Sequence, residues 1–179
     1  MQLKIRNGSF IISIGLKVIP IWRVGNSMKL DYSNMIRLKL LRELKNGKEQ
    51  AYNFINNVQL DSLSLPPVLD VELFGGNKFS FETKNKVISE IFNCLRTLEK
   101  YYDRKPIIYT NIETYENFIK GNFDDYDLWL CKLCNEPKTV KWKIWQYSHQ
   151  GVVPGIKSDV DMNVFNGSYE EFVNYIYKK

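Results

Sequence analysis

The chain has 179 residues, of which 44% are hydrophobic, 25% charged and 14% aromatic. This composition excludes intrinsic disorder and collagen-like repeats because it supplies enough apolar surface for a core, and the length favours one domain over residues 1–179. The longest apolar stretch, residues 10–22, contains Lys17 and Pro20 and is shorter than the roughly 20 residues that a membrane-spanning helix needs. We therefore expect no membrane insertion.

Charge and cysteine content limit the possible ligands and the cellular compartment. Residues 1–48 hold ten lysines and arginines against two acids, or +8, whereas the remainder holds fifteen against eighteen, or −3. Such a basic segment either attracts nucleic acid, anionic lipid or an anionic cell-wall polymer, or is a solvated face. The three cysteines are too few for a disulfide framework, and no small-residue cleavage site follows the first apolar stretch, so we expect cytoplasmic synthesis without a signal peptide.

The N-terminal third contains three predicted elements. Residues 10–22 are typical of a strand, and residues 48–58 of an amphipathic helix. Residues 33–45 are predicted to form a basic helix, because their apolar side chains recur at helical spacing: Met35, Leu38, Leu41 and Leu44.

From residue 66 onward, short apolar runs alternate with amphipathic stretches. This pattern is typical of an α/β protein with a mostly parallel sheet or barrel. The predicted strands are 67–73, 105–110, 127–133, 142–147 and 158–164.

Capping residues mark the helices of the same region. Ser80 is expected to cap a long helix, and Asn111 a short one that ends at Gly121. Ser168 and Glu171 have the spacing of a capping box, which predicts a helix over residues 169–177.

The segment Pro66–Leu73 carries the most informative pattern. Because side chains alternate along a strand, Asp70 and Glu72 share one face, with Cα atoms about 6.6 Å apart at a rise of roughly 3.3 Å per residue. Carboxyls this close repel each other, which raises one pKa. Cleavage of a glycosidic bond requires a protonated acid beside an ionised one, and the longer Glu72 is the expected acid. The alternative is a solvated strand face, and burial distinguishes the two.

Polar and aromatic residues near the C-terminus suggest further contacts with a ligand. Alternation places Asp159, Asp161 and Asn163 on one strand face, where they either line the same cleft or form an outward polar surface. Aromatic rings suit a sugar cleft because they stack on sugar C–H faces, although alternation sends some rings into the core. The candidates are Tyr109, Trp129, Trp142, Trp145 and Tyr147.

Other chemistries have weak support. Cys131 and Cys134 have the spacing of a zinc or redox motif, but the sequence contains no second pair. His149 is the single histidine, no nucleophile elbow accompanies it, and we interpret it as a loop residue. Nucleotide-binding motifs are absent from the sequence, and we expect no metal and no cofactor.

Taken together, these residues resemble the glycoside hydrolase family 25 lysozymes, the muramidases of bacteria and their phages. The resemblance covers about residues 47–179, leaves residues 1–46 divergent, and rests on six ordered segments: 47–54, 66–72, 106–110, 128–130, 145–148 and 153–163. It implies a flattened β/α barrel, incomplete at its N-terminus, with a groove at the carboxyl ends of the strands. It also implies cleavage of the β-1,4 bond between N-acetylmuramic acid and N-acetylglucosamine.

The resemblance also assigns roles to individual residues. Glu72 matches the general acid/base, Asp70 the residue that stabilises the charged intermediate or orients the acetamido group, and Asp161 the late active-site aspartate. The expected substrate-binding residues are Tyr109, Trp129, Trp145, Gln146, Tyr147 and Asn163. The expected partner is a peptidoglycan glycan strand and not nucleic acid.

One departure from the family is informative. Its opening strand, which carries Asp-Val-Ser, has no counterpart in residues 1–14, so open sheet edges are expected, and these lead to a homodimer or to poor solubility. The leading interpretation is a peptidoglycan hydrolase of endolysin type that acts on the wall after release. The alternative is a catalytically silent domain that binds wall glycan. Retention and inversion at the anomeric carbon both remain open.

Overall fold

The computed structural model describes the backbone of residues 5–6, 9–14 and 35–38, and residues 46–60, 64–72, 80–152, 157 and 159–177. These residues fall into two compact units. The three-stranded unit contains residues 35–38, 46–60, 66–72 and 80–127, and the five-stranded unit contains the rest. In this part of the chain, no helix has both the length and the apolar character that crossing a bilayer requires.

The three-stranded unit contains a parallel sheet of β3 (Met35–Leu38), β4 (Val68–Val71) and β5 (Ile107–Asn111). The strands pair in the order β3-β4-β5, and Leu69 of β4 lies in register with Ile36 on one side and Ile108 on the other. All four residues of β4 are buried, as expected for a parallel strand covered on both faces. The predicted strands 67–73 and 105–110 are therefore confirmed at their centres.

Strand β3 overturns one prediction. Residues 35–38 are paired with β4 and are not helical, so the helix predicted over 33–45 is wrong at these positions. Pairing with β4 satisfies the backbone N–H and C=O groups along the edge of that strand, and this long-range interaction outweighs a local apolar spacing that also fits a helix. Residues 33–34 and 39–45 lie outside the described residues, as do residues 15–22 of the strand predicted over 10–22.

Two helices of this unit begin at polar caps. The side chain of Asn46 accepts from the N–H groups of Lys48 and Glu49 at the start of α1 (Gly47–Asn57). At the start of α2 (Phe81–Tyr102), the Ser80 hydroxyl accepts from the N–H of Thr83 at 3.2 Å. The buried residues of α2 are Cys94 and the four that the helical spacing in the sequence places on one inward stripe: Val87, Ile91, Leu95 and Leu98.

A short helical segment follows β5. The side chain of Asn111 caps α3 (Ile112–Thr114) by accepting from the N–H of Thr114 at 2.8 Å. The segment continues as a π-helical turn, Tyr115–Ile119, and Gly121 follows with a φ of 75°, a left-handed conformation that favours glycine. The capped helix and its glycine end were both predicted from the sequence.

The five-stranded unit contains a mixed sheet. Its strands are β1 (Ile5–Arg6), β2 (Ser9–Ile14), β6 (Leu128–Cys131), β7 (Ile144–Gly151) and β8 (Val160–Phe165). The order is β1-β2-β8-β7-β6, in which β6 and β7 are parallel and the other pairs antiparallel. Strand β7 is longer than predicted and includes His149, so the interpretation of that residue as part of a loop is wrong.

A capping box starts the last helix, α4 (Tyr169–Tyr177). The N–H of Ser168 donates to Glu171 at 2.6 Å, and the N–H of Glu171 donates to the Ser168 hydroxyl at 3.1 Å. The reciprocal pair and the helix over 169–177 are as the sequence predicts. Strands and helices together confirm the α/β class.

Candidate active site

Strand β4 positions the Asp-x-Glu pair in the three-stranded unit. Asp70 is 1% exposed, and Glu72 follows the last residue of the strand and is half-buried. This burial excludes a solvated strand face for Asp70. A carboxyl that is removed from water needs polar partners to offset the cost of desolvation, and such a group is a candidate for a functional role. Glu72 lies at the carboxyl end of a parallel strand, which is where α/β folds place their ligands.

Tyr109 lies beside this pair on the neighbouring strand. Its Cα is in register with that of Asp70 across the parallel β4–β5 ladder, so the two side chains share one face of the sheet. The ring is half-buried, which leaves part of it accessible to a ligand. The structure thus brings Asp70 and Tyr109 together on one face, with Glu72 at the strand end.

A second polar cluster lies on β6, β7 and β8 of the five-stranded unit. Its members are buried and lie on one face of the sheet: Trp129, Gln146, Asp161 and Asn163. Trp129 Nε1 donates to Asn163 Oδ1 at 2.8 Å, and Gln146 forms a hydrogen bond with the carboxyl of Asp161. Burial excludes the outward polar surface that the sequence left open for Asp161 and Asn163.

Burial perturbs the acid of this cluster. Loss of solvent raises the pKa of Asp161 above its ordinary value, while the charge of His149 and the hydrogen bond from Gln146 act in the opposite direction. Asp161 Oδ1 and Asn163 Nδ2 form no hydrogen bond with the part of the chain that the structure describes. A carboxyl oxygen accepts and an amide N–H donates, so these two atoms have complementary hydrogen-bonding capacity.

Trp145 and Tyr147 do not join that cluster. They flank Gln146 along β7 and so point to the opposite face of the strand. There the ring of Trp145 lies 5.9 Å from that of Trp142 and 5.6 Å from that of Tyr147, and its Nε1 donates to the carbonyl of Lys132 at 2.7 Å. The predicted substrate-binding residues are thus divided between two faces.

The remaining candidates are less organised. Asp159 is exposed and precedes β8, Cys131 ends β6, and Cys134 is exposed with a left-handed φ of 74°. Within the described residues, no group of three or more histidine, cysteine and acidic side chains is arranged to hold a metal ion. Sequence reasoning missed His149 as a charged neighbour of Asp161. No local signal pointed to it, because regular alternation places position 149 on the strand face opposite Gln146, and the register shifts between Gln146 and Gly151 alter that alternation.

Comparison with known proteins adds independent information. A family model described as glycosyl hydrolases family 25 matches residues 39–156, a range that contains Asp70 and Glu72 and ends before Asp161. The protein YegX of Escherichia coli K12, whose name marks it as uncharacterized, is 35% identical over 130 residues, which are 71% of this chain and 46% of that protein. Lysozyme M1 of Streptomyces globisporus is 26% identical over 134 residues, covering 68% of this chain and 46% of that protein.

Solved structures show the same likeness. A family 25 glycosyl hydrolase from Bacillus anthracis superposes with a TM-score of 0.64 and 35% identity, over 73% of this chain and 63% of that one. A bacterial lysozyme from Streptomyces coelicolor gives a TM-score of 0.63 and 25% identity, over 75% of this chain and 67% of that one.

The chain belongs to glycosyl hydrolases family 25, since the family model spans more than half of it. The resemblance read from the sequence is confirmed, and the α/β fold is that of family members of known structure. The chain spans about half the length of the curated relatives that it matches, 46% in each case quoted.

Proposed function

We propose that the protein is a peptidoglycan hydrolase that cleaves the β-1,4 bond between N-acetylmuramic acid and N-acetylglucosamine. The observation that carries this proposal is the burial of Asp70 next to Glu72 at the end of β4, within the range that matches family 25. Two relatives support the substrate class, because both are named lysozymes.

The two acids have different roles in this proposal. Glu72 has the longer side chain and lies beyond the strand end, so it is the acid that donates a proton to the glycosidic oxygen. Asp70 is the neighbouring carboxyl group, which stabilises the positive charge that develops on the sugar or orients the acetamido group. Tyr109 shares the face of Asp70 and offers its ring to the glycan.

The buried cluster of the five-stranded unit supplies ligand contacts. The acetamido groups of this glycan carry one N–H and one carbonyl each. Asn163 Nδ2 can donate to such a carbonyl, and Asp161 Oδ1 can accept from an N–H or a sugar hydroxyl. Trp129 contributes by holding the Asn163 amide in one orientation.

The test measures new reducing ends released from purified peptidoglycan. Glu72→Gln keeps the size of the side chain but removes the transferable proton, and we expect a loss of activity of about 10²–10⁴-fold. Glu113→Gln is the matched control, because Glu113 is an exposed glutamate of the same unit, and we expect it to retain activity.

Two other outcomes would contradict the proposal. Equal rates for Glu72→Gln and the control would show that Glu72 is not the acid. Binding of the wild-type protein to the glycan without any release of reducing ends would favour the catalytically silent binding domain.

A further inference from the structure

A groove of about 460 Å³ lies between α1 and α2 of the three-stranded unit. The proposed chemistry uses none of its residues. The polar lining consists of Lys48 and Tyr52 from α1, and Asn93, Arg96, Thr97, Lys100 and Tyr101 from α2. Lys48 and Tyr52 are four residues apart on α1, and Asn93, Arg96 and Lys100 follow at intervals of three and four on α2, so each helix presents one face to the groove.

The groove is positively charged. Its lining contains three cationic side chains and no carboxylate. Lys48 and Lys100 are exposed and form no ion pair with any described residue, whereas Arg96 is 62% exposed and gives one nitrogen to Glu99 at 3.2 Å. Lys48 and Lys100 therefore give the groove positive charge that no described carboxylate neutralises, and such an excess of charge favours an anionic ligand.

Two tyrosine rings add a surface for sugars. Tyr52 is 55% exposed and Tyr101 62% exposed, which is high for aromatic side chains. The ring of Tyr101 packs edge-on against that of Tyr102 with centroids 4.8 Å apart, and the Tyr102 hydroxyl donates to the carbonyl of Val58 at 2.7 Å. An anchored neighbour therefore orients Tyr101, which reduces the entropy lost when a ligand binds.

We propose that this groove is a second binding site for the wall, which takes a peptide-bearing segment of peptidoglycan away from the cleaved bond. Its cations bind the carboxylates of the stem peptide, and its tyrosine rings stack on the sugar. Asn93, which also lines the groove, forms hydrogen bonds with the amide groups of the peptide. The inference rests on the proposed function, because it assumes that the wall is the substrate.

The shape of the groove favours this ligand over other polyanions. Its volume lies within the range of about 300–1,000 Å³ that holds a small ligand, so it suits a sugar with its peptide. A nucleic-acid duplex or a lipid surface would instead need an extended basic face. Binding of either is therefore an outcome that the test must exclude.

The test measures binding to purified peptidoglycan from which acid has removed phosphate-containing polymers. All proteins carry Glu72→Gln so that the wall is not digested during sedimentation. We expect the double variant Lys48→Gln, Lys100→Gln to bind roughly tenfold more weakly, and Tyr101→Ala to weaken binding as well. The control is Lys86→Gln, Lys138→Gln, which removes the same charge from exposed lysines outside the groove.

A second substrate identifies the ligand group. Converting the wall carboxyls to neutral amides should weaken binding by the protein that carries Glu72→Gln alone about tenfold. The same conversion should leave the affinity of the groove variant unchanged. The inference is overturned if the groove variant, Lys48→Gln, Lys100→Gln, binds the wall as tightly as its control. It is also overturned if the groove substitutions weaken binding to the neutralised wall as much as to the untreated wall, or if they weaken binding only to nucleic acid or lipid vesicles.

A third measurement separates this inference from the proposed function. On a short soluble glycan, proteins with Glu72 intact should release reducing ends at equal rates with and without the groove substitutions. If the wild-type protein releases no reducing ends, the proposed function fails. If it does release them and the groove variant still binds the wall like its control, the second site alone is wrong.

Discussion

Trp129 and Asn163 are joined by a buried hydrogen bond between residues 34 positions apart in the chain. The bond fixes the amide of Asn163, so that Oδ1 faces the indole and Nδ2 faces the other way. Both side chains are buried, and water does not replace a lost partner at such a site. Orientation of the ligand-facing amide therefore depends on a residue that needs no contact with the ligand.

Trp129→Phe tests this dependence. The change removes the indole N–H and leaves a buried carbonyl oxygen unpaired, so we expect a loss of about 1–3 kcal/mol in the free energy of unfolding, measured by urea titration. Trp142→Phe is the control, because Trp142 is half-buried and its indole N–H donates to no residue that the structure describes. Equal losses for the two variants would show that the hydrogen bond contributes nothing beyond ring size.

The raised pKa of Asp161 predicts how stability changes with pH. A carboxyl whose pKa is higher in the folded chain stabilises it below the unfolded pKa, near 3.9, and that contribution is lost as pH rises through the folded pKa. The free energy of unfolding of Asp161→Asn, relative to the wild type, should therefore increase from about pH 4 towards neutrality. Asp159→Asn is the control for the loss of one negative charge, because Asp159 is exposed. The same change of stability with pH in that variant would show that the pH dependence does not come from the raised pKa of Asp161.

Several parts of the candidate site could be predicted because they follow from neighbours in sequence. Alternation along a strand groups Asp161 with Asn163, and it also separates Gln146 from Trp145. The contact between Trp129 and Asn163 could not be predicted in this way, since it depends on which strands lie side by side. Burial of Asp70 likewise comes from helices and strands distant in the sequence.

At the scale of the element, α1 and α2 pack closely at Gly47. Its N–H donates to the carboxylate of Glu90 at 2.6 Å, and a Cβ at this position would collide with the backbone carbonyl of Glu90. The glycine therefore allows α1 to begin directly against α2. This contact also sets the spacing of the two helices that form the groove.

Gly47→Ala is expected to lower the free energy of unfolding by about 1–3 kcal/mol, because the collision forces the helices apart. Helix propensity alone predicts the opposite sign, since alanine stabilises a helix relative to glycine by roughly 0.5–1 kcal/mol. Asn56→Ala, at an exposed position of the same helix, controls for changes in propensity. A stabilised Gly47→Ala variant in urea would contradict the close packing.

Local signals explain which elements could be predicted. The caps at Ser80, Asn111 and Ser168 lie within three residues of the groups that they satisfy, so the sequence carries the whole interaction. Strand β3 has no such signal. Its four residues fit a helical apolar spacing equally well, and their pairing with β4, some thirty residues later, decides the outcome.

At the scale of the whole molecule, the chain combines a family 25 range with an N-terminal part that the family model does not cover before residue 39. The single domain over residues 1–179, the flattened barrel that is incomplete at its N-terminus and the homodimer through open sheet edges stay predictions. Sedimentation velocity across a range of concentrations measures the last of these. The remaining prediction at this scale is the chemical activity, the proposed cleavage of peptidoglycan.

The most direct test of that activity identifies the sugar at each new reducing end. Peptidoglycan is digested with the wild-type protein, the ends are reduced with borohydride, and the resulting sugar alcohols are separated after hydrolysis. We expect reduced N-acetylmuramic acid, formed by the wild type and not by Glu72→Gln. Reduced N-acetylglucosamine, or no reduced sugar from the wild type, would contradict it.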